Sequence, residues 1–445
     1  MYDRRVRSRL ASTLGDAFLA GVWNEGRLLA RGAQAISPRP RWLLPVTREV
    51  LGAYHRPPSD RPRELAAFIA VKLDDGPWVE QYPPPRVRRQ FIPKLEMART
   101  PWPVPRIASV EALADYLEVT PPQLAWLADV RGLERRVGDL RLRHYGYAWL
   151  PRPSGVPRVI ESPKQRLKAI QRRLLHDVLN RIPAHDAAHG FTRGRSARSH
   201  AARHTGQGVV LGVDLEDFFA AVWAGRVYGI FRTAGYPEPV AHALTALTTN
   251  VVPRTEWASV PQPLAPHAIY AYSRLGRRLA TPHLPQGAPT SPALANLAAF
   301  ALDRRLAGLA ETLDATYTRY ADDLTFSGSG LLADHAGELR ALIVSIARDE
   351  GFGVNTRKHF QATRAHRQRV CGIVVNERTN VARREYDELK AILHNAARNG
   401  PADENRAGVA NFRAHLLGRV AWVEALNPQR GSKLRERFER IAWTE

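Results

Sequence analysis

The stretch "TRYADDLTFSG", residues 318–328, places two adjacent carboxylates, Asp322 and Asp323, in a segment that otherwise reads as β-strand. Successive side chains of a strand point to opposite faces, so neighbouring acids can act together only where a strand ends. A hairpin turn between Tyr320 and Leu324 would let both carboxylates leave the strand at one end. The alternative is an ordinary solvated turn, which is the commoner meaning of an isolated Ala-Asp-Asp.

A third acid, Asp214, ends the apolar run "VVLGVD" at residues 209–214. A carboxylate at the end of a buried strand is costly unless something compensates its charge. If the two strand ends meet, three carboxylates cluster, and like charges that close cannot all stay ionised without cations. Mg²⁺ takes carboxylate oxygens and substrate phosphates as ligands, and two such ions form a clamp for phosphoryl transfer. Such a cluster would have the donors that these ions require, and a solvated turn is the alternative at this point.

The chain as a whole is strongly basic, with 445 residues, a formal net charge of +22 and 44% hydrophobic residues. Such a charge balance indicates a polyanionic partner such as nucleic acid. A membrane surface is the competing interpretation, but no long apolar run or basic amphipathic anchor favours it. The single cysteine, Cys371, excludes an internal disulfide and a cysteine-based zinc site. The N-terminal "MYDRRVRSRLAST" lacks the apolar centre of a signal peptide, so we expect a cytoplasmic protein.

Periodicity and turn signals predict an α+β protein with an antiparallel sheet and an all-helical C-terminal part. Helices interrupted by proline-rich breaks are expected over residues 1–100, and two more follow a linker at 99–109. The turn Pro153-Ser154-Gly155 predicts a hairpin. The expected later elements are a basic amphipathic helix (164–181), a strand running into a helix (208–222), a strand (369–376) and helices from about 380, one of them stopped by Pro428.

The segment "HLPQGAPTSPALANL", residues 283–297, lies between the two acidic strands. Its prolines and Gly287 predict a shaped loop that enters a helix, with Pro292 in the first turn and Ser291 as the cap. The start of a helix can hold an anion or stack against a base. A loop that prolines merely keep rigid is an equal alternative.

Four motifs in this order, "GVDLEDFF", "LPQGAPTSP", "RYADDL" and "GFGVNTRKHF", resemble the palm motifs of reverse transcriptases. The segments "GFTRGRSARSHAARH", "VCGIVVN" and "LLGRVAWVEALNPQRGSKL" resemble those of bacterial retron reverse transcriptases. The resemblance covers about residues 108–440 and implies a right-hand polymerase fold. The implied parts are an N-terminal helical extension (1–107), fingers (108–207), a palm (208–378) with a fingers insertion at about 224–282, and a helical thumb (379–445).

The resemblance also implies roles for individual residues. Asp214, Leu215, Asp322 and Asp323 match the positions that hold two Mg²⁺ ions. Lys358 matches a candidate acid for the pyrophosphate leaving group, and a surface lysine is the alternative.

Four further residues match positions that contact the incoming dNTP. Phe219 matches the aromatic steric gate that excludes a 2′-OH, although a core phenylalanine would read the same. Gln286 matches the glutamine of the nucleotide pocket. Arg152 and Arg158 match fingertip residues that grip the triphosphate, since a guanidinium binds phosphate bidentately. Both arginines could instead be solvated hairpin charges.

Two departures from the retron pattern concern segments associated with recognition of the family's own RNA. His200 stands where retrons usually have Asn, and Cys371 stands where they usually have Thr, before Gly372 of the primer-grip region. Histidines spaced four apart, His185/His189 and His200/His204, are expected to lie on a helix face or contact RNA, since no frame completes a zinc site. Cys371 is expected to be a buried thiol in an apolar strand.

The implied activity is RNA-directed DNA polymerisation with dNTP substrates on part of a cognate structured noncoding RNA. By resemblance, a 2′-OH of that RNA would prime synthesis, the product would be a branched RNA–DNA hybrid, and the role would be antiphage defence, with an effector protein as a possible partner. The basic helix at 164–181 and the segment 430–440 would contact nucleic acid. The alternatives are an abortive-infection or group II intron-like reverse transcriptase, or a noncatalytic RNA-binding scaffold.

Overall fold

The structure, a computed structural model, describes residues 3–75, 85–153, 155–263 and 266–443. The strands are β1 (Ile36–Ser37), β2 (Arg86–Val87), β3 (Tyr145–Leu150), β4 (Arg158–Pro163), β5 (Val209–Glu216), β6 (Thr316–Tyr320), β7 (Asp323–Gly328), β8 (Gly353–Thr363), β9 (Arg369–Val370) and β10 (Ile373–Val374). The helices are α1 (Arg4–Leu19), α2 (Glu25–Ala35), α3 (Leu43–Ala53), α4 (Pro62–Asp75), α5 (Val110–Tyr116), α6 (Pro121–Ala128), α7 (Gln165–Asp177), α8 (Ala197–Ala202), α9 (Ala224–Thr233), α10 (Glu238–Thr248), α11 (Arg254–Ala258), α12 (Pro266–Leu279), α13 (Ser291–Ala298), α14 (Phe300–Thr312), α15 (Leu331–Asp334), α16 (Ala336–Asp349), α17 (Arg383–Asn399), α18 (Phe412–Leu426) and α19 (Pro428–Glu439).

The chain divides into two compact units. Unit 1 consists of residues 1–182 and 222–294, and unit 2 consists of residues 183–221 and 295–445. These two units are defined by contacts within the chain. The predicted boundaries of fingers, palm and thumb come from the family resemblance, so they stay a prediction.

In unit 1, helices α1–α4 enclose a core whose members include Leu14, Phe18, Trp42 and Val46, all with no exposed surface. The expected helices over residues 1–100 are confirmed, as are α5 and α6 behind the linker. α6 begins with a capping box in which Thr120 and Gln123 satisfy each other's backbone N–H groups. The proline-rich break "QYPPP" lies mostly outside the described residues.

The expected hairpin of unit 1 is confirmed, since β3 and β4 pair antiparallel with Leu150 opposite Arg158. Ser154 of its turn lies outside the described residues. The basic helix after it, α7, is shorter than expected, because it gives way to a 3₁₀ turn at Leu179–Arg181.

Unit 2 is built on an antiparallel sheet with strand order β6-β7-β5-β8, which confirms the expected sheet type. One face carries buried apolar residues such as Val213, Leu215, Leu324 and Phe326. Because alternate residues share a face, Asp214 and Asp323 belong to the other face. The sheet thus separates its apolar core from the acidic residues.

Three expectations about local structure are wrong. Residues 369–376 form two strands, because Cys371 (φ 47°) and Gly372 (φ 82°) reverse the chain in a tight turn between β9 and β10. β5 does not run into a helix, since a turn separates Glu216 from α9. Ser291 is not a cap: it is the first residue of α13, and its hydroxyl donates to the Pro285 carbonyl at 2.7 Å.

The C-terminal helices are confirmed as α17, α18 and α19. Pro428 both ends α18 and opens α19, where a residue without an N–H loses nothing. Leu416, Val420 and Leu434 belong to a buried cluster that joins these helices to β9 and β10. None of the helices in the described ranges combines the length and the apolar character needed to cross a bilayer.

Candidate active site

Two strands of unit 2 bring the three predicted carboxylate residues to one place. Asp214 on β5 pairs in register with Asp323, the first residue of β7. Directly opposed residues of an antiparallel pair point to the same face, so these carboxylates are neighbours. Asp322 lies in the β6–β7 turn, and its carbonyl accepts from the Leu215 N–H at 2.9 Å. The expected turn is confirmed, but it comprises only residues 321–322, and Asp323 stays within the sheet.

Lys358 on β8 reaches the same cluster. Its Nζ lies 2.8 Å from Asp214 Oδ1, and Asn355 Nδ2 donates to Asp214 Oδ2 at 3.2 Å. Asp214 is buried, whereas the Lys358 side chain is 60% exposed. The ammonium is therefore the counter-ion of Asp214 and remains free to move, because little packing holds it.

The local electrostatics favour a cation. Burial, with the charges of Asp322 and Asp214, raises the pKa of Asp323 to about 6, and the nearby Lys358 opposes this rise. Carboxylates that repel one another in this way match the donors that hard divalent ions prefer. Within the described ranges, no three His, Cys, Asp or Glu side chains converge tightly enough to hold one ion as they stand. The Lys358–Asp214 contact explains part of this, since Asp214 Oδ1 faces the ammonium.

The turn that carries Asp322 is strained and tightly held. Ala321 has a left-handed φ of 56°, which costs a non-glycine residue of the order of 1 kcal/mol. Gly190 packs directly beneath, because a Cβ there would lie 2.5 Å from the Ala321 nitrogen. Arg319 Nη1 donates to the Ala321 carbonyl at 3.0 Å. These contacts fix the turn in a conformation that it would not adopt alone.

Arg319 belongs to a buried network that sequence reasoning missed. Its guanidinium and the Asp303 carboxylate have no exposed surface, and they join at 2.6 Å and 2.8 Å. Tyr317 Oη donates to Asp303 at 2.8 Å, and Arg319 also donates to Asn296, whose amide donates to Gly190. The sequence offered only two signals for this network. One is a strand arginine directly before the Tyr-Ala-Asp-Asp segment, and the other is an aspartate within a helix.

Three histidines form a second buried polar cluster. His200 Nδ1 and His204 Nε2 lie 2.7 Å and 2.6 Å from Thr318 Oγ1, and His204 Nδ1 lies 2.7 Å from Ser327 Oγ. His189 Nδ1 lies 2.9 Å from Ser199 Oγ. Burial lowers the pKa of His200 to about 3 and of His189 to about 4. Of the two expected alternatives, a helix face is confirmed for His200, which lies on α8, whereas His204 follows that helix in a turn. Both side chains are fully buried against the sheet.

Phe219 follows β5 in the turn at residues 217–222. Its neighbour Phe218 is the buried one and stacks on Phe352. Phe219 is half-buried, and its ring lies 5.9 Å from Phe191. The phenylalanine that fills the core is therefore Phe218, and part of the Phe219 side chain stays exposed.

Cys371 is half-buried at the β9–β10 turn and not within a strand, so its expected placement is wrong. Burial, with the charges of Asp323 and Asp322, raises the pKa of its thiol to about 12. The turn therefore lies near the acidic cluster, and the thiol stays protonated.

The other predicted residues belong to unit 1. Arg158 is exposed at the start of β4, and Arg152 lies in the turn before it, where its carbonyl accepts from Gly155. The Gln286 carbonyl accepts from the Glu161 N–H at 2.8 Å. Gly287 (φ 131°) has no room for a side chain, since a Cβ would lie 2.9 Å from the Glu161 carbonyl. β4 thus places Arg158 and fixes the loop that carries Gln286.

A buried acid–histidine pair supports that loop. Glu161 Oε1 lies 3.0 Å from His283 Nε2, and Asn250 Nδ2 donates to Glu161 Oε2 at 2.8 Å. Burial alone would lower the pKa of His283, but the Glu161 charge and hydrogen bond outweigh it and raise this pKa. The pair anchors the start of the predicted nucleotide loop, and no sequence signal pointed to it.

Comparison with known proteins agrees with this geometry. The family described as "Reverse transcriptase (RNA-dependent DNA polymerase)" matches residues 150–375. The chain therefore belongs to the reverse transcriptase family, and its mixed helices and antiparallel sheet are those of the polymerase fold.

Within that family the chain is of the bacterial retron type. It is 42% identical to the Retron Mx65 reverse transcriptase of Myxococcus xanthus over 67% of this chain and 65% of that protein. It is 36% identical to the Retron Mx162 reverse transcriptase of the same organism over 73% of this chain and 65% of that protein. The Retron Ec86 reverse transcriptase of Escherichia coli is 32% identical over 53% of this chain and 64% of that protein. The chain thus spans slightly less than two thirds of the length of these relatives.

Proposed function

We propose that this protein is an RNA-directed DNA polymerase that extends a primer 3′-end with dNTPs and releases pyrophosphate. The observation that carries the proposal is the pairing of Asp214 with Asp323 beside the strained turn that holds Asp322. Membership of the reverse transcriptase family supports the same activity.

Asp214, Asp322, Asp323 and the Leu215 main chain would hold two Mg²⁺ ions. When bound, such ions supply charge stabilisation for the attacking and leaving oxygens of the transfer. Lys358 starts as the counter-ion of Asp214. The exposed Lys358 ammonium would donate a proton to the pyrophosphate as it leaves.

Four residues would contact the incoming dNTP, as the resemblance implies. The half-buried Phe219 ring would lie under the sugar C2′ and exclude a hydroxyl there. Arg152 and Arg158 would bind the triphosphate, and Gln286 would line the pocket. The rigid loop that Gly287 and Glu161 fix supports the last assignment, since a fixed amide discriminates better than a mobile one.

The retron type supports a cognate structured noncoding RNA as the template. Priming from a 2′-OH of that RNA, a branched RNA–DNA product, antiphage defence and an effector partner complete the proposal. The polymerase would consist of fingers at 108–207, a palm at 208–378 and a thumb at 379–445. α7 and the segment 430–440 would contact the nucleic acid backbone through their basic side chains.

The test is dNTP incorporation by Asp322→Asn/Asp323→Asn on an RNA template with an annealed primer. Synthesis should fall below detection. The matched control is Asp314→Asn/Asp334→Asn, which removes two exposed carboxylates of the same unit and should leave synthesis unchanged. DNA synthesis by the first variant would refute the catalytic assignment. Sequencing the copurifying nucleic acid tests the retron assignment, which predicts RNA and DNA in one covalent species.

A further inference from the structure

The N-terminal helices of unit 1 carry a basic groove that shares no residue with the proposed polymerase site. It has a volume of about 680 Å³ and is lined by three arginines and three hydroxyl side chains of α1, together with Asp16, Gln90 and Phe91. Arg5 and Arg9, and likewise Ser8 and Ser12, are four residues apart, so all four share one exposed face of α1. This face is polar along its whole length.

The arginines of the groove are not used to hold the fold together. Arg7 points elsewhere and pairs with Asp74 of α4. Arg4, Arg5 and Arg9 are exposed, and none of them forms an ion pair with an acid in the described ranges. Asp16 is the opposing charge in the groove, and burial raises the pKa of its carboxyl. The groove therefore carries more positive than negative charge, and its three arginines remain available to bind an anion.

The other wall has the chemistry of a base-binding surface. Phe91 packs in part against the core of α1–α4, the Arg89 guanidinium lies 4.9 Å from its ring centroid, and part of the side chain stays open. Arg86, Arg88 and Arg89 are exposed just before it. Backbone hydrogen bonds fix this segment to the helices. The N–H groups of Arg88 and Arg89 donate to the Ala35 carbonyl, and the Lys94 N–H donates to the Leu19 carbonyl. Guanidinium and hydroxyl groups bind phosphates, and an aromatic ring accepts an unpaired base.

We infer that this groove binds a single-stranded polynucleotide, with phosphates along the Arg4–Arg5–Arg9 face of α1 and a base on Phe91. A single strand fits better than a duplex, because a duplex hides the faces of its bases. The groove is thus a binding site that uses none of the proposed polymerase residues. It assigns a nucleic-acid-binding function to the N-terminal helices and to the segment that carries Phe91. RNA and single-stranded DNA share the chemistry that it recognises.

The test measures fluorescence anisotropy of labelled 20-nucleotide RNA and DNA of one mixed sequence, with the full chain at several salt concentrations. The variant is Arg4→Gln/Arg5→Gln/Arg9→Gln, which keeps good helix formers in α1. The control is Arg27→Gln/Arg39→Gln/Arg56→Gln, which removes the same charge from exposed positions of unit 1 outside the groove. An unlabelled primer–template fills the polymerase site throughout, and a labelled poly-glutamate serves as an acidic-protein arm.

Loss of three phosphate contacts should reduce the slope of log K against log salt by about 2 and weaken binding roughly 100-fold at 0.1 M salt. The control should change neither quantity, and Phe91→Leu should weaken binding about fivefold or more. A preference of the groove for one labelled strand would identify the natural source. Equal slopes in all three proteins would overturn the inference, as would poly-glutamate binding that the groove variant alone loses. Primer extension on a short primer–template should be normal in every variant, so failure here is distinct from failure of the polymerase assignment.

Discussion

The Arg319–Asp303 pair offers the sharpest test of how the fold serves the active site. Replacing Arg319 with Met removes the donor that holds the Ala321 carbonyl and leaves Asp303 charged with no exposed surface. Breaking a buried pair from one side costs about 3–5 kcal/mol. That is a large part of a typical folding free energy of about 5–15 kcal/mol, so the single variant should unfold at a much lower denaturant concentration.

A triple variant separates stability from positioning. Arg319→Met/Asp303→Leu/Tyr317→Phe replaces both charges and the hydroxyl that donates to Asp303, so no buried charge is left alone. Such apolar replacement is often neutral in stability or better. We expect the triple variant to regain most of the lost free energy. It should still polymerise slowly, because the carbonyl of the strained Ala321 then lacks its side-chain donor.

The assay is denaturant unfolding together with single-nucleotide incorporation at varied dNTP concentration. A catalytic group displaced by about 1 Å can lose 100-fold in rate, so kcat should fall about 10- to 100-fold with little change in KM. Arg305→Met is the control, since Arg305 pairs with Asp349 and Glu350 at a solvent-exposed site, where ion pairs add little to stability. A stable triple variant with normal kcat would refute the positioning role of Arg319.

Four further outcomes follow from the site. In denaturant unfolding, Gly190→Ala should lose about 1–3 kcal/mol of stability, and it should lose most activity, because its Cβ would meet the Ala321 nitrogen. The control, Gly308→Ala, places its Cβ in open space on α14 and should unfold no more easily than wild type. Because the folded pKa of Asp323 is raised to about 6, its contribution to stability is present at low pH and is lost as pH rises from about 4 to 6. Without metal, the free energy of unfolding of wild type should therefore fall over that range relative to that of Asp323→Asn, and solvent at the exposed carboxylate makes this fall small. Added Mg²⁺ should raise the melting temperature of wild type at pH 7 and leave Asp323→Asn unchanged, and an equal rise in both would argue against the metal site. Phe219→Ala should increase rNTP incorporation relative to dNTP in competition assays, and unchanged sugar selectivity would exclude the steric gate.

Sequence patterns predicted those elements of the fold whose residues repeat with the period of a strand or a helix. The alternation around Asp214 and Asp323 set the strands, and helical periodicity with capping signals set α5 and α6. The run "RVCGIVVN" failed because its β-forming residues read as one strand, while the Cys371–Gly372 turn depends on backbone conformation that composition does not encode. Reading a glycine within a short apolar run as a turn would have found it.

The buried polar contacts could not be predicted, because they join residues far apart in the chain. Thr318 meets His200 and His204 across 118 and 114 positions. Arg319 is only 16 positions from Asp303, but nothing in an apolar helix marks one aspartate as a partner. Such pairs are fixed by the packed fold and not by local pattern.

These buried contacts have a common consequence for the acidic cluster. Thr325 and Ser327 alternate with Asp323 along β7, so they share its face of the sheet, and Thr318 lies opposite Thr325 on β6. A slip of one residue between strands would move Asp323 to the apolar face and at the same time break the His204 contacts to Ser327 and Thr318. The same slip would move Leu324 and Phe326 off the apolar face, so the apolar pattern and the histidine contacts select the same register. The neutral histidines therefore reinforce the register that sets Asp323 opposite Asp214, and His204→Leu should impair polymerisation more than it impairs stability.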